Sequence, residues 1–202
     1  MQIENHKEEV PFSHYEGLFR DLDPREAVER TGVKWDGKEF YVNLLGRDYA
    51  ISHPEYAFRA LDNGPLPPLP VQTFLLRYLL ESKNVAWAGQ WKTFREMPWR
   101  EMYIKPYTGR VLTRAAFTFG TRLSAFNAAA EKMGAVPVNH GDAGWEFRLI
   151  GDYRMQILVW EGDDEFPPNA QVLYSDNFAQ GFAAEDRVVA GDILISTVKA
   201  NF

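Results

Sequence analysis

The chain has 202 residues, the length of one ordinary domain, and its 46% hydrophobic and 25% charged residues are typical of a folded globular protein. The net charge of −6 argues against a nucleic-acid binder, because an acidic protein repels phosphate backbones. Cysteine is absent, which excludes disulfides, an iron–sulfur cluster and any cysteine-ligated metal held by this chain. No apolar run of about 18 residues occurs, so no membrane span is predicted.

The N-terminal residues predict a flexible arm followed by two helices. Residues 1–12 are polar and acidic and lack the basic and apolar regions of a signal peptide, so the expected location is the cytoplasm. Ser13, with Glu16 three residues later, has the capping-box spacing and predicts a helix start. Pro24 and Gly32 stand where a second helix would begin and end.

The next part of the chain predicts a hairpin and a core helix. In KEFYVNLLGRDYAIS (residues 38–52), apolar residues alternate with polar ones on both sides of a glycine-containing turn. In VQTFLLRYLLES (residues 71–82), the large apolar residues recur on one helical stripe. Between these segments, a proline-rich stretch at residues 62–70 predicts a loop.

The C-terminal half predicts further helices and the clearest hairpin of the chain. Trp145, Phe147 and Leu149 alternate with polar residues before a turn at Gly151, and the apolar alternation continues to Trp160. The other predicted elements are an extended piece near residues 91–95 with a short helix after it, helices over 108–120 and 123–134, a strand over 170–176 and a helix over 185–202.

This order of elements predicts the fold class. Hairpins require antiparallel pairing, so we expect an α+β protein with an antiparallel sheet built from hairpins and helices packed mainly on one face. Residues 13–202 are predicted to form a single domain. No P-loop, dinucleotide fingerprint or serine-hydrolase elbow is present, so the common catalytic motifs give no function.

An acidic segment is the first candidate site. In WEGDDEFPP, Glu161, Asp163, Asp164 and Glu165 follow a predicted strand and precede two prolines. Carboxylates at this spacing suit a divalent cation or acid–base work, but solvated turns at strand ends are also commonly acidic. Of the four histidines, His140 is the best candidate partner, because Asp142 lies two residues away in a glycine-flanked loop. The candidate metal site therefore contains Asp163, Asp164, Glu165, His140 and Asp142.

An aromatic and basic segment is the second candidate site. Its candidate ligand-binding residues are Trp87, Trp91, Phe94, Arg95, Trp99 and Tyr103. Aromatic rings with nearby arginines can stack on a planar ligand and hold its carboxylates, as a tetrapyrrole, corrinoid or flavin would need. The alternative is an aromatic core with solvated basic residues around it.

Several segments resemble one known family. The segments FLLRYLLES, GQWKTFRE, GDAGWEFRLIGDYRMQILVWEGDDEFPPNAQVLYSDN and AAEDRVVAGDIL resemble the bacterial and archaeal family of unknown function DUF3786, over roughly residues 20–198. The most specific part is a strand that ends in Trp160, Gly162, Asp163, Glu165, Phe166 and Pro167.

The resemblance implies an origin among anaerobes and no established reaction. Some family members look as if they carry or neighbour a four-cysteine iron–sulfur module of corrinoid-linked one-carbon metabolism, but this chain has no cysteine. The resemblance also implies that the acidic turn belongs to the sequence pattern of the family. In that pattern, Asp163 or Glu165 could cap backbone amides.

Three functions are therefore open. The first is a cytoplasmic small-molecule-binding or accessory protein, linked to tetrapyrrole or corrinoid metabolism, that does not act as an enzyme. The second is an enzyme that uses Asp163, Asp164 and Glu165 with a divalent cation. The third is a subunit or scaffold of a larger complex, with a protein partner or as a homo-oligomer, which an exposed apolar patch would indicate.

Overall fold

The structure is a computed structural model that describes residues 5–202. The chain divides into two compact units, Met1–Asn84 and Val85–Phe202. Both units combine helices with antiparallel strands, which confirms the predicted α+β class. The grouping of residues 13–202 into one domain stays a prediction.

Two helices open the first unit. Helix α1 (His6–Arg20) begins where the Asn5 side chain accepts a hydrogen bond from the backbone N–H of Lys7, at 3.2 Å. The predicted start at Ser13 is therefore wrong: residues 6–12 of the predicted arm are helical, and residues 1–4 of that arm lie outside the described part. Asn5 is a good N-cap and acidic residues follow it in the first turn, but this polar stretch also resembles an unstructured arm.

The remaining elements of the first unit match the prediction more closely. Helix α2 (Pro24–Thr31) ends at Gly32, whose φ of 72° is favourable only for a residue without a side chain. Strands β1 (Lys34–Trp35), β2 (Glu39–Leu44), β3 (Arg47–Ser52) and β4 (Phe58–Ala60) form an antiparallel ladder in chain order. Helix α3 (Leu69–Glu81) buries Phe74, Leu75, Tyr78 and Leu79, as the periodicity predicts.

Five antiparallel strands make up the sheet of the second unit. They are β5 (Trp91–Thr93), β6 (Val136–Pro137), β7 (Ala143–Ile150), β8 (Tyr153–Trp160) and β9 (Asn169–Ser175). Strand β8 pairs with β7 on one side and with β9 on the other, β6 adds to β7, and β5 adds to β9. The β7–β8 hairpin turns at Gly151 and Asp152, which confirms the strongest strand prediction.

Helical segments cover one face of this sheet. A 3₁₀ turn (Phe94–Glu96) leads into α4 (Arg100–Tyr107), a π-helical stretch (Thr108–Thr113) and α5 (Arg114–Phe119); the last three follow one another without a break. The others are α6 (Leu123–Lys132), α7 (Phe178–Gly181) and α8 (Ala184–Ala200).

Close contacts fix the position of the continuous helix at residues 100–119. Helix α5 packs on β8 and β9, and α8 packs on the π-helical stretch. At Gly191 of α8, an added Cβ would lie 2.9 Å from both methyl groups of Val111, so the absence of a side chain permits this approach. One side of the continuous helix is thus buried, and its other side faces solvent.

Candidate functional site

Phe94, one of the predicted ligand-binding residues, lies in the core. The Glu96 carboxylate accepts hydrogen bonds from the Thr93 N–H at 2.7 Å and from its hydroxyl at 2.8 Å, which fixes the 3₁₀ turn. That turn directs Phe94 inward, where it is only 1% exposed and stacks on Tyr107 with ring centroids 4.3 Å apart. A ligand therefore cannot reach this ring without opening the core.

Trp87 and Trp91 form a second, half-buried environment. Their ring centroids are 5.2 Å apart, and the Arg154 guanidinium lies over the Trp87 ring at 4.8 Å. Arg154 also donates a hydrogen bond to the Glu146 carboxylate at 2.9 Å, while its Nε is buried and has no hydrogen-bond partner among the described residues. Trp87, Trp91 and Arg154 thus form a packed aromatic and cationic cluster at the β5 edge of the sheet.

Trp99 forms a third environment, which is open to solvent. Its side chain is 73% exposed, and Met102 in the first turn of α4 is 74% exposed. Trp99 has φ 62°, a left-handed conformation that is an outlier for a bulky residue. Arg95 is exposed in the same loop, and Tyr103 is half-buried on α4. Two exposed large apolar side chains and an exposed basic residue thus occur within eight residues of sequence at the start of α4.

Buried Arg187 contacts the inner side of the Trp99 loop, by which we mean residues 94–99. This side chain of α8 is 2% exposed and donates hydrogen bonds to backbone carbonyls. Its Nη1 binds the carbonyl of Pro98 at 2.8 Å, directly before Trp99, and its other nitrogens bind the carbonyls of Phe178, Ala179 and Phe182 at 3.0–3.3 Å. Burial lowers the pKa of Arg187 because desolvation disfavours the charged form.

A second arginine holds the same loop from its surface side. The Arg100 guanidinium donates a hydrogen bond to the carbonyl of Arg95 at 2.5 Å, and the Met97 N–H donates to the carbonyl of Phe94 at 3.3 Å. The backbone from Phe94 to Pro98, which leads into Trp99, is therefore held by hydrogen bonds. Strained backbone that the surrounding structure holds in place is typical of ligand clamps and active sites.

The acidic turn has a structural role that its own hydrogen bonds explain. Oδ1 of Asp163 accepts hydrogen bonds from the N–H groups of Glu165 at 2.8 Å and Phe166 at 2.7 Å. These backbone donors hold the pKa of Asp163 below its usual range, because they stabilise the charged form. Asp163 is therefore an ionised turn cap and is poorly suited to act as a general acid at neutral pH.

The structure brings Asp142 to this turn. Its carboxylate accepts a hydrogen bond from the Glu161 N–H at 2.8 Å, and its own N–H donates to the carbonyl of Val159 at 2.9 Å. His140, Asp164 and Glu165 are exposed side chains of the same region. Within residues 5–202, no group of three or more His, Asp or Glu side chains is placed to hold a metal ion. The divalent-cation site stays a prediction.

A family of unknown function accounts for almost the whole chain. The model of the family described as domain of unknown function (DUF3786) matches residues 23–197. The chain belongs to this family.

The family match confirms the resemblance noted in the sequence, and it spans both compact units. Within it lie the Trp99 loop, the acidic turn and Arg187. Comparisons with curated proteins and with solved structures found no match. Among the helices of the described part, none is long and apolar enough to cross a membrane.

Two residues next to the Trp99 loop, Met102 in α4 and Arg187 in α8, were not predicted from the sequence. Met102 was not selected because a lone methionine carries no chemical motif, although it comes three residues after Trp99. Arg187 was not predicted because its acceptors are backbone carbonyls, which every residue type carries, and one of them, that of Pro98, lies 89 residues away. Both become evident only from exposure and hydrogen bonding.

Proposed function

We propose that this protein is a cytoplasmic binding or accessory protein, not an enzyme, and that it holds its partner through the Trp99 surface. We define this surface as the exposed side chains of Arg95, Trp99 and Met102. The observation that carries the proposal is the exposure of Trp99 in a strained, firmly held loop.

The exposed side chains and the strained backbone of this surface cost free energy in the unbound protein. A large apolar side chain gains about 1.5–3 kcal/mol when it is fully buried, so the exposure of Trp99 and Met102 forgoes much of that gain. The left-handed conformation adds about 1–3 kcal/mol of strain. Both costs are offset when a partner covers the surface, and tryptophan is among the residues that most often dominate binding energy.

The partner can be a small molecule or another protein chain. A planar ligand with carboxylates, such as a tetrapyrrole or corrinoid, would stack on Trp99 and bind Arg95. A protein partner would cover Trp99 and Met102 together. The exposure of both apolar side chains favours a protein partner. Single exposed apolar residues are ordinary on protein surfaces, whereas exposed apolar residues near one another mark interaction sites.

Native mass spectrometry of the full chain, purified from its own cells, tests the proposal. The wild-type protein is expected to carry an additional bound mass, which shows directly whether the partner is a tetrapyrrole-sized molecule or a protein. Trp99→Ala should lose that species. Phe166→Ala is the matched control, because Phe166 is an aromatic side chain that is 67% exposed in the acidic turn, and this variant should keep the bound mass. Equal retention by both variants, or no bound species in the wild type, would refute the proposal.

A further inference from the structure

The solvent-exposed side of the continuous helix at residues 100–119 extends the Trp99 surface. Met102, Pro106, Gly109, Thr113 and Phe117 are all exposed, and their spacing of three or four residues places them on one helix face. Phe117 is 57% exposed at the far end of this face. We call these five residues the uncharged stripe. A helix of this length extends about 30 Å.

The shape of the stripe fits another helix. Large side chains stand at its two ends, and Gly109 lies between them with no atom within 4 Å of the position that a Cβ would take. A partner backbone can approach closely at such a glycine, while its apolar side chains pack against Met102 and Phe117. Apolar anchors along one line, spaced by helical turns, are the pattern of helix recognition.

The charges beside the stripe indicate the chemistry of the partner. Residues 95–122 contain six arginines or lysines and two glutamates, a formal charge of +4, in a chain whose net charge is −6. Lys105 is exposed on one flank of the stripe and has no carboxylate partner among the described residues. On the other flank, Arg110 and Arg114 share the single carboxylate of Asp192. The flanks therefore keep an excess of positive charge.

We propose that the uncharged stripe binds an acidic amphipathic helix of a partner protein, whose apolar residues cover the stripe and whose carboxylates meet Lys105 and Arg110. This inference rests on the proposed function and names the class of partner. Nucleic acid fits less well, because the middle of the surface is apolar and the cations lie only beside it. A second copy fits less well, because it would bring two basic flanks together.

The absence of cysteine allows a site-specific test. Thr113→Cys places a single attachment point for an environment-sensitive dye in the stripe, and Ser124→Cys places the same dye on the exposed side of α6 as a control. The probe is a synthetic helical peptide with leucine at helical spacing and glutamate on its flanks. A second peptide carries lysine in place of every glutamate.

The acidic peptide should give a saturable change in dye fluorescence in the labelled Thr113→Cys protein and none in the labelled Ser124→Cys protein, and the lysine peptide should give no response. Adding Lys105→Glu should weaken binding of the acidic peptide about fivefold, because it reverses one charge at the rim of the contact. Arg25→Glu, on the exposed surface of α2, is the charge-matched control and should leave the affinity unchanged.

Other outcomes would overturn the inference. These are no saturable response to the acidic peptide, equal responses to both peptides, or a response only to phosphatidylserine vesicles or single-stranded DNA. Self-association of the unlabelled protein that Phe117→Ala abolishes would assign the stripe to a second copy instead. If Trp99→Ala loses the native partner while Phe117→Ala and Lys105→Glu keep it, the proposed function stands and this extension fails. If Trp99→Ala also keeps the partner, both fail.

Discussion

Replacing Arg187 by methionine tests whether this buried side chain holds the Trp99 loop. Methionine fills a similar volume but cannot donate hydrogen bonds. The substitution removes the Arg187 donors from four carbonyls, those of Pro98, Phe178, Ala179 and Phe182. Of these, the Phe178 carbonyl keeps the hydrogen bond from the Phe182 N–H at 3.1 Å. The carbonyls of Ala179 and Phe182 lie in and directly after α7, and the end of this short helix leaves no later helical N–H to replace the lost donor.

The expected magnitude follows from these contacts. A hydrogen bond to a charged group contributes about 1.5–3 kcal/mol, and a buried acceptor left without a partner costs about 1–3 kcal/mol. The four bonds are not additive, and relief of the desolvation of the buried guanidinium offsets part of the loss. We expect the free energy of unfolding to fall by about 2–4 kcal/mol, a large share of the roughly 5–15 kcal/mol of a typical domain.

Two assays check this expectation. Urea unfolding measures the global loss, with Arg25→Met on the exposed surface of α2 as a control that should stay within about 0.5 kcal/mol of wild type. Trypsin cleavage after Arg95 and Arg100 reports on the loop itself and should become faster in Arg187→Met. An unfolding free energy within about 0.5 kcal/mol of wild type, together with unchanged cleavage of the loop, would refute the role assigned to Arg187.

Two further predictions concern a close contact and the acidic turn. Gly181→Ala should lower the free energy of unfolding by about 1–3 kcal/mol, because the added Cβ would lie 1.7 Å from the Tyr153 hydroxyl oxygen. Gly17→Ala on α1 is the control: nothing lies within 4 Å of its added Cβ, so it should raise the free energy of unfolding by about 0.5–1 kcal/mol. Equal effects of the two variants in denaturant unfolding would contradict the close packing at Gly181. An NMR titration should place the pKa of Asp163 below the unfolded value of about 3.9, since backbone donors lower it. The contribution of the Asp163 carboxylate to the free energy of unfolding is then fully present above about pH 3.9 and is lost as the pH falls through the lower folded pKa. Asp163→Asn should remove this dependence of stability on pH.

Sequence alone predicted the elements whose signal is local. The β7–β8 hairpin was found because Trp145, Phe147 and Leu149 alternate with polar residues and Gly151 allows the turn. Helix α3 was found because its apolar period matches a buried helix face. The first turns of α1 were missed because the polar residues after Asn5 resemble an unstructured arm as well as an exposed helix.

The candidate site was only partly predictable. Phe94 and Trp99 lie five residues apart in the same aromatic segment, yet one is 1% and the other 73% exposed. Their directions depend on the Thr93–Glu96 hydrogen bonds and on the left-handed backbone at Trp99. Neither feature follows from residue type. The sequence therefore identified the aromatic segment as a candidate site, but it did not show which of its side chains are exposed to solvent.

The hydrogen bond between Arg187 and Pro98 has a consequence for protein synthesis. These two residues are 89 positions apart in the chain, and strand β5, which leads into the Trp99 loop, pairs with β9, which also follows much later. While the chain is being made, the loop therefore lacks both supports until β9 and α8 have left the ribosome. A nascent chain that does not yet include α8 therefore presents the Trp99 loop without the hydrogen bond that fixes it.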